Sequence, residues 1–298
     1  MLGLKFKAIK LFPRGPIREL PRADTIFGAI GTAVATLFGG NAVDGLVQGF
    51  KESARISSAF PFEGSTYYFP KPLSVGVLNF DELLKDLPKE ERHTREKEIK
   101  KSRYLDLENF ERALKLEPFD VPKGLPFRRV DVPRVALDRV TNDSNLYFWD
   151  EMRFRESSGF YFLYSGDEGI FNDYILPALR YLGDTGIGGK TTWGFGLFDF
   201  KVDTVEMNVP DSPCSATLSN TLPTKTPVLW SLVRKGGWSS GRRKPKLNFI
   251  AEGSIVADDP GRIVSIDIGL SHEVNVYGLT FPIPAEVPDE ASRGVDCP

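Results

Sequence analysis

The chain has 298 residues, of which 41% are hydrophobic and 26% are charged, and its formal net charge is −2 at pH 7. These proportions are typical of a folded protein with a sizeable core, and they argue against a disordered chain or a generally basic nucleic-acid binder. No run of about 18 apolar residues is present, so we expect no membrane span. The first ten residues also lack the apolar stretch of a signal peptide.

The cysteines and the distribution of charge indicate the cellular compartment and the kind of ligand. Cys214 and Cys297 are too few for a disulfide framework or a zinc site, which favours a reducing, cytoplasmic compartment. Residues 1–22 carry six basic side chains against one acid, Glu19, and residues 234–246 carry six with no acid. Such runs are often solvated faces. Two of them in an acidic chain favour a defined track for a polyanion, with acidic surfaces left for protein neighbours.

The N-terminal third predicts a strand, a helix and two short strands. Residues 4–8 alternate apolar side chains with lysines, which indicates a half-buried strand. Asp24 is predicted as the N-cap of a helix whose apolar side chains recur every three to four residues. Residues 39–40 are both glycine and are expected to end that helix. Short strands are predicted near residues 55–62 and 66–69.

The middle of the chain changes character twice. Residues 80–117 mix charges of both signs with few aromatic side chains, which predicts an inserted helical hairpin with solvated faces. Residues 118–157 return to strand-like composition and predict a hairpin, with one strand over 134–140. An aromatic run predicts a further strand over 159–165.

A second helix and a last strand flank a glycine-rich segment. Apolar spacing predicts the helix over residues 168–182, with Pro177 kinking it or shifting its start. The segment 183–192 follows, and a strand is predicted over 193–202. Without the insertions, the element order is strand, helix, strand pair, helix, strand.

This order predicts an α+β fold with a ferredoxin-like domain, the arrangement that RNA-recognition domains also use. We assign residues 1–203 to this domain, including the helical insertion at about 80–117 and the hairpin at about 118–157. Residues 204–298 are predicted as short strands broken by proline and glycine. They form either a second, degenerate ferredoxin-like copy or a β-rich extension, and the sequence favours neither.

The glycine-rich segment is the most informative stretch of the sequence. Its Gly189-Lys190-Thr191 ends like a nucleotide-binding P-loop, but that motif needs a glycine at position 184, where this chain has Asp. A P-loop also follows a strand and opens a helix, whereas a helix precedes this segment. A flexible connector does not need six glycines, which stand at positions 183, 186, 188, 189, 194 and 196.

The residue types in this segment suit a sugar-phosphate backbone. Glycines such as Gly186, Gly188 and Gly189 let a backbone approach closely and turn its N–H groups toward phosphates. Lys190 adds a positive charge, and Thr191 and Thr192 add hydroxyl donors. Trp193, which follows, offers a ring face on which a base can stack.

Several motifs resemble those of a known family. A glycine-rich loop between the last helix and the last strand of a ferredoxin-like fold resembles that of the RAMP superfamily of CRISPR proteins. The blocks that resemble one RAMP subgroup, the handle-capping subunits of type III-A effectors (the fourth subunit of the Csm complex), are residues 22–30, 57–62, 68–72, 135–139 with Thr141 and Asn142, 231–238 and 277–281. The resemblance covers nearly the whole chain and is weakest around residues 85–117.

This resemblance implies a non-catalytic role. Such subunits bind the repeat-derived 5′ handle of the guide RNA, dock the large polymerase-palm subunit and touch the adjacent backbone RAMP subunit. Neither cofactor nor metal is implied. Together with the basic and glycine-rich segments, the predicted RNA-contacting residues are Arg14, Arg18, Arg22, Ser57, Ser58, Arg134, Arg139, Asn142, Gly186, Gly188, Gly189, Lys190, Thr191, Thr192, Trp193, Lys235 and Trp238.

An endoribonuclease that processes guide RNA without metal is the nearest alternative, because some RAMP relatives cut RNA with a histidine. It would have to use His93 or His272, and neither has an obvious second acid or base beside it. A metal-dependent slicing role would need an acid such as Asp24 or Asp138. The first is better explained as a helix cap, and the second as a salt-bridge partner of Arg139. A protein scaffold that binds no RNA is the third alternative.

Overall fold

The computed structural model describes residues 2–141 and 143–288. The strands are β1 (Leu2–Pro13), β2 (Arg55–Ile56), β3 (Phe60–Glu63), β4 (Thr66–Pro70), β5 (Tyr104–Asp106), β6 (Phe127–Leu137), β7 (Ser144–Phe154), β8 (Ser158–Ser165), β9 (Phe198–Val209), β10 (Cys214–Thr217), β11 (Leu232–Ser239), β12 (Arg242–Ile250), β13 (Ile255–Ala257), β14 (Val264–Ile266), β15 (Val274–Val276) and β16 (Pro282–Pro284). The helices are α1 (Ala23–Phe38), α2 (Gly40–Glu52), α3 (Phe80–Leu83), α4 (Lys89–Lys101), α5 (Leu107–Leu114), α6 (Glu168–Ile170) and α7 (Leu176–Thr185).

The fold is organised by an antiparallel sheet of seven strands in the order β5–β4–β3–β8–β1–β9, with β2 also paired to β8. β1 lies inside this sheet and pairs with β9 over its whole length. Because side chains alternate along a strand, β1 contributes Ile9 and Leu11 to one face and Ala8 to the other. Helices α1, α2 and α7 cover the first face, and α5 with the C-terminal strands covers the second.

Helix α1 has the predicted apolar face but a different start. Ile26, Phe27 and Ile30 are buried against the sheet. The prediction that Asp24 is the N-cap was wrong, because Arg22 occupies the cap and Asp24 lies within the first turn. The Asp24 carboxylate is instead buried and accepts a hydrogen bond from the Asn220 side chain at 3.2 Å.

The glycines after α1 break the helix as predicted. Gly39 has φ +88°, a conformation that residues with a Cβ rarely adopt, and the N–H of this residue donates to the Ala35 carbonyl. Helix α2, which the sequence analysis missed, begins at the next residue and packs against α1.

The insertion around residues 80–117 is only partly the helical hairpin that was predicted. It contains α3, α4 and α5, but β5 separates the last two helices and extends the sheet by pairing with β4. Phe110 of α5 stacks on Phe69 of β4 with ring centroids 4.7 Å apart. The many charged side chains of this insertion predicted solvated helices. A few buried apolar residues are nevertheless enough to attach it to the sheet.

The hairpin within residues 118–157 is formed by β6 and β7, which pair from Phe127–Phe154 to Leu137–Ser144. Strand β6 starts earlier than the predicted 134–140. After β8, a continuous helical segment covers 168–185 and includes a π-helical turn at Phe171–Ile175, just before Pro177. Proline has no N–H to donate, so the regular ladder is interrupted there.

The last strand of the first half begins later than predicted, because β9 starts at Phe198 and not at Trp193. The predicted boundary between residues 203 and 204 falls inside β9. Both halves also share their cores: Tyr277 contributes to the cluster under α1, and Phe281 to the cluster on the opposite face.

The C-terminal half consists of short strands and hairpins, as the sequence predicts. Cys214 is buried in β10, and Cys297 lies outside the described residues. Within the described residues, every helix falls short of the length and apolarity that a bilayer crossing requires.

Candidate nucleic-acid interface

The glycine-rich segment between α7 and β9 is closed at its base. The N–H of Ile187 donates to the carbonyl of Gly196 at 3.0 Å. Both Gly186 and Gly196 are buried and have positive φ, +88° and +74°. A Cβ at Gly196 would collide with the backbone of Ile187, and one at Gly186 would approach the Phe195 carbonyl to 2.8 Å. These two glycines therefore allow the base of the segment to close, so the role that the structure gives Gly186 is structural.

The tip of the segment is open. Gly188, Gly189 and Lys190 are exposed, and a Cβ at either glycine would meet nothing within 4 Å. Among the described residues, nothing accepts a hydrogen bond from the backbone N–H groups of these three residues. A short 3-10 turn, Thr191–Trp193, follows, in which Thr192 is exposed and Thr191 is half-buried against Gly186. The tip thus presents unpaired backbone donors beside a lysine.

Two tryptophans and three cations meet beside this tip. The rings of Trp149 and Trp193 have centroids 5.7 Å apart. The ammonium nitrogen of Lys190 lies 4.2 Å from the Trp193 centroid and 5.5 Å from that of Trp149. Arg18 lies 5.0 Å from the Trp149 ring, and Arg134 lies 5.9 Å from the Trp193 ring. We call these five residues the aromatic–cation cluster.

Sequence reasoning missed Trp149. The register of β6 with β7 determines where this ring lies. It sets Trp149 opposite Val132 and therefore on the same face as Arg134. The pattern that would have found it is alternation within the hairpin, since one face carries Arg134, Tyr147 and Trp149. Without the register of the two strands, the aromatic run at 147–149 does not show which ring faces the glycine-rich segment.

Backbone hydrogen bonds bring three distant segments together at the cluster. The N–H of Met152 in β7 donates to the carbonyl of Ile17 at 2.7 Å, which places the neighbouring Arg18 against β7. The N–H of Gly196 donates to the Pro16 carbonyl at 3.2 Å. The loop after β1 is therefore held between the glycine-rich segment and the hairpin.

Arg134 is oriented by a buried acid. Its guanidinium lies 3.2 Å from the carboxylate of Glu151, whose side chain is nearly inaccessible, and Glu151 also pairs with Arg153 at 3.1 Å. Two donors here, the indole N–H of Trp149 and the Nε–H of Arg134, are buried without an acceptor among the described residues. The cluster is therefore rich in donors and poor in acceptors.

Arg14, predicted to contact RNA, is engaged within the protein. Its guanidinium donates to the Gly183 carbonyl at 2.6 Å and to the Asp184 carboxylate at 2.8 Å, and it lies 3.7 Å from Asp199. The hydrogen bond to Asp184 is the main cause of the raised pKa of Arg14. Arg14 thus links the two ends of the glycine-rich segment.

Ser57 and Ser58 lie in the interior and Arg22 is half-buried, and none of the three belongs to the cluster. The Ser57 hydroxyl accepts from the Leu163 N–H at 2.8 Å, and that of Ser58 accepts from the Ala23 N–H at 3.0 Å. Ser58 and Arg22 both bind the carboxylate of Glu252. Ser57 and Ser58 are buried in this structure, and their role as RNA contacts stays a prediction. Ser58 joins the start of α1 to the C-terminal half, whereas Ser57 bonds to β8.

The remaining predicted contacts lie on two hairpins. Arg139 is exposed in the turn between β6 and β7, and Asn142 lies outside the described residues. The expected Asp138–Arg139 salt bridge was wrong: Asp138 accepts hydrogen bonds from the N–H groups of Val140 and Thr141 at 2.7 and 3.2 Å. These bonds hold the pKa of Asp138 below its usual value.

On the second hairpin, β11–β12, the two predicted contacts differ in accessibility. The Lys235 ammonium lies 3.4 Å from the Glu19 carboxylate, while Trp238 is exposed.

Neither histidine belongs to the aromatic–cation cluster. His93 is exposed on α4 with Glu96 at 4.0 Å, and His272 is exposed in the segment before β15. Within residues 2–141 and 143–288, no group of three or more His, Cys, Asp or Glu side chains is arranged to hold a metal ion.

Comparison with known proteins identifies the family. The model of the RAMP superfamily matches residues 22–199. A protein of Thermococcus onnurineus, "CRISPR system Cms protein Csm4", is 60% identical over 96% of this chain and 98% of its own length. The protein of the same name from Streptococcus thermophilus is 25% identical over 63% of this chain and 58% of its own length.

Solved structures agree with this relationship. A chain in the crystal structure of a Csm1–Csm4 cassette in complex with cA4 has a TM-score of 0.81 and 52% identity, over 96% of this chain and all of that one. A chain of a Csm3–Csm4 subcomplex from a type III-A interference complex, at 16% identity and a TM-score of 0.66 over 95% of this chain and all of that one, shares the fold. The chain therefore belongs to the RAMP superfamily and, within it, to the Csm4 family of CRISPR proteins.

Proposed function

We propose that the chain is a non-catalytic subunit of a type III-A CRISPR effector that binds the repeat-derived 5′ handle of the guide RNA in the cytoplasm, in antiviral defence. The observation that carries this proposal is the aromatic–cation cluster beside the open tip of the glycine-rich segment. Ring faces stack on unpaired bases, and cations neutralise phosphates. Single-stranded RNA is the ligand that uses both at once.

The hydrogen-bonding balance of the site supports an anionic ligand. Unpaired N–H groups at Gly188, Gly189 and Lys190 lie beside the buried, unpartnered donors of Trp149 and Arg134. Phosphate oxygens and base carbonyls supply acceptors and bring no positive charge of their own. Backbone N–H groups at a glycine-rich turn are a common anion-binding arrangement.

We also infer that the first half is a ferredoxin-like domain, as in other single-stranded RNA readers. The central strand order β3–β8–β1–β9, with α1 and α7 on one face, supports this assignment. In such a fold the connection from the second helix to the last strand passes the end of the central strand. Here that connection is the glycine-rich segment, which contacts the loop after β1 through Gly196 and Pro16.

Two protein partners complete the proposal: a large polymerase-palm subunit and an adjacent backbone RAMP subunit. Relatives of this chain occur in a Csm1–Csm4 cassette and a Csm3–Csm4 subcomplex. The hairpin β6–β7 offers a surface, since Val135, Leu137, Leu146 and Phe148 are all exposed on the face opposite Trp149. A contiguous exposed apolar patch marks an interaction site.

We assign this apolar face to the backbone subunit. The reason is that the opposite face of the hairpin carries the proposed RNA site, and a backbone subunit would continue along the same strand.

The endoribonuclease alternative finds no support in the geometry. Metal-free RNA cleavage needs an acid and a base positioned at one phosphodiester. His93 lies on the solvated insertion and His272 in an exposed loop, and neither belongs to the aromatic–cation cluster. We therefore propose that any catalytic activity of the effector belongs to its partners.

The decisive experiment is co-expression of the chain with a guide RNA and the large and backbone subunits, followed by sequencing of the RNA that remains bound. We expect the wild type to retain handle-bearing guides. A variant with both Lys190→Ala and Trp193→Ala should lose them, while Lys97→Ala should not, since Lys97 is exposed on α4 away from the cluster. Retention of unrelated RNA as efficiently as handle-bearing RNA would contradict the proposal.

A further inference from the structure

A second basic surface lies on the hairpin β11–β12. An open groove of about 600 Å³ runs along this hairpin, and its lining includes Arg234, Arg243, Lys244, Lys246 and Asp267. The groove is wide open to solvent, which suits a segment of a longer strand better than an enclosed small molecule.

The charge of the groove is not neutralised by the protein. Four cationic side chains line it against the single acid Asp267. Among the ion pairs of the described residues, none involves Arg234, Arg243, Lys244 or Lys246. Four unpaired cations along one groove select a ligand with several negative charges in a row.

An aromatic ring stands beside these cations. Trp238 is 70% exposed, and the register of the hairpin sets it directly opposite Arg243, so both side chains lie on the same face. An exposed tryptophan next to a guanidinium provides a face for a base and a charge for its phosphate. An acidic protein surface would use the cations but would leave the exposed ring without a role.

Two glycines make room for the groove. The pairing of β11 with β12 shifts register between Lys235 and Gly237, as in a β-bulge. A Cβ at Gly237 would lie 3.3 Å from Cε of Lys244, and one at Gly236 would lie 3.2 Å from Cγ of Lys246. Larger residues at these positions would crowd the two lysine side chains.

The hairpin β11–β12 also contacts the loop that carries Arg18. Lys235 of β11, which lies on the other face from Arg234 and Trp238, pairs with Glu19 at 3.4 Å, and Arg18, the residue before Glu19, lies against Trp149. We propose that the hairpin β11–β12 is a second RNA-binding surface, which takes a single-stranded segment of the guide beyond the nucleotides held at the glycine-rich tip. This inference rests on the proposed function, because it assumes that the first surface holds the same strand.

Its test compares two RNAs with the purified full chain: a complete guide and a short RNA limited to the handle. Trp238→Ala is expected to weaken binding of the complete guide about tenfold, the loss typical of one stacked base. A double Arg234→Gln, Arg243→Gln variant should make the slope of log affinity against log salt shallower by about 1.4, or about 0.7 for each lost phosphate contact. The double variant should leave binding of the handle RNA unchanged.

Lys190→Ala distinguishes this inference from the proposed function, because it should lower the affinity of the chain for both RNAs. If Lys190→Ala weakens binding of both RNAs and the hairpin variants leave both affinities unchanged, the second surface is refuted while the proposed function stands. An equal loss for both RNAs in the hairpin variants would make the hairpin part of the handle site and also refute a separate surface. Loss of a protein subunit from the co-purified complex, with RNA affinity unchanged, would identify a protein interface instead. Equal unfolding temperatures for all variants exclude misfolding as the cause.

Discussion

The ammonium nitrogen of Lys190 lies 4.2 Å from the centroid of the Trp193 ring. A cation at this distance over an indole face is attracted by the ring quadrupole. Lys190 is exposed, and this attraction holds its charge at the protein surface beside the unpaired backbone donors of the tip. A phosphate that binds Lys190 therefore arrives next to a ring on which its base can stack.

Removal of this charge should change the salt dependence of RNA binding. Lys190→Ala is expected to weaken guide binding and to make the slope of log affinity against log salt shallower by about 0.7, the value for one phosphate contact on a single strand. Fluorescence anisotropy over a salt series measures both quantities. Lys97→Ala, which removes an exposed lysine on α4, serves as the matched control. An unchanged slope for Lys190→Ala would show that this lysine faces solvent in the complex.

The glycines of the segment should divide into two groups by their effect on stability. Gly196→Ala forces a Cβ into the Ile187 backbone at φ +74° and is expected to cost on the order of 1–3 kcal/mol of unfolding free energy. Gly189→Ala has open space and should stay within about 0.5 kcal/mol of the wild type. Thermal unfolding distinguishes the two. Equal destabilisation by both variants would mean that the segment is not closed at its base as described.

Arg14 should act on RNA indirectly, by positioning the glycine-rich segment. Arg14→Ala removes its contacts with Gly183, Asp184 and Asp199, so residues 183–197 should exchange their amide hydrogens faster. Global stability should change little, because these ion pairs are exposed. RNA affinity is expected to fall as the tip loses its fixed position. Weaker RNA binding with unchanged exchange would instead show direct contact between Arg14 and RNA.

The two faces of the hairpin β6–β7 should be separable by mutation. Phe148→Glu places a charge on the exposed apolar face, away from Trp149, and is expected to reduce co-purification of the backbone RAMP subunit. RNA affinity of the isolated chain should remain close to that of the wild type. Asn145→Asp, a charge change on the other face, is the matched control for the added charge. Loss of RNA affinity with the subunit still bound would assign the apolar face to RNA.

We expect no RNA cleavage by the purified chain. Labelled precursor RNA incubated with the chain, with and without divalent metal, should remain intact, and ATP should not be hydrolysed. Asp184, which stands where a P-loop needs glycine, binds Arg14 instead. Cleavage that disappears in His93→Ala or His272→Ala, or hydrolysis that disappears in Lys190→Ala, would establish an enzyme.

Local patterns in the sequence predicted much of the architecture. The apolar spacing in α1, the glycine break at Gly39 and the alternation in β1 each depend on a few neighbouring residues, so they could be read directly. The buried positions of Asp24 and Ser58 could not be predicted, because their partners, Asn220 and Glu252, lie roughly 200 residues away in the chain. The neighbouring sequence of an aspartate at a helix cap, or of a serine on the surface, does not differ from that of the same residue type in the interior.

The sequence by itself determined that glycines, a lysine and a tryptophan follow the second helix, and this composition pointed to a phosphate ligand. Only the tertiary structure decided which glycines close the base and which open the tip, because that depends on the approach of Gly196 to Ile187. It also brought Trp149 and Arg18 to Lys190 through backbone pairing between segments far apart in the chain. Such pairing is set by register and core packing, and neither is encoded in any short stretch of residues.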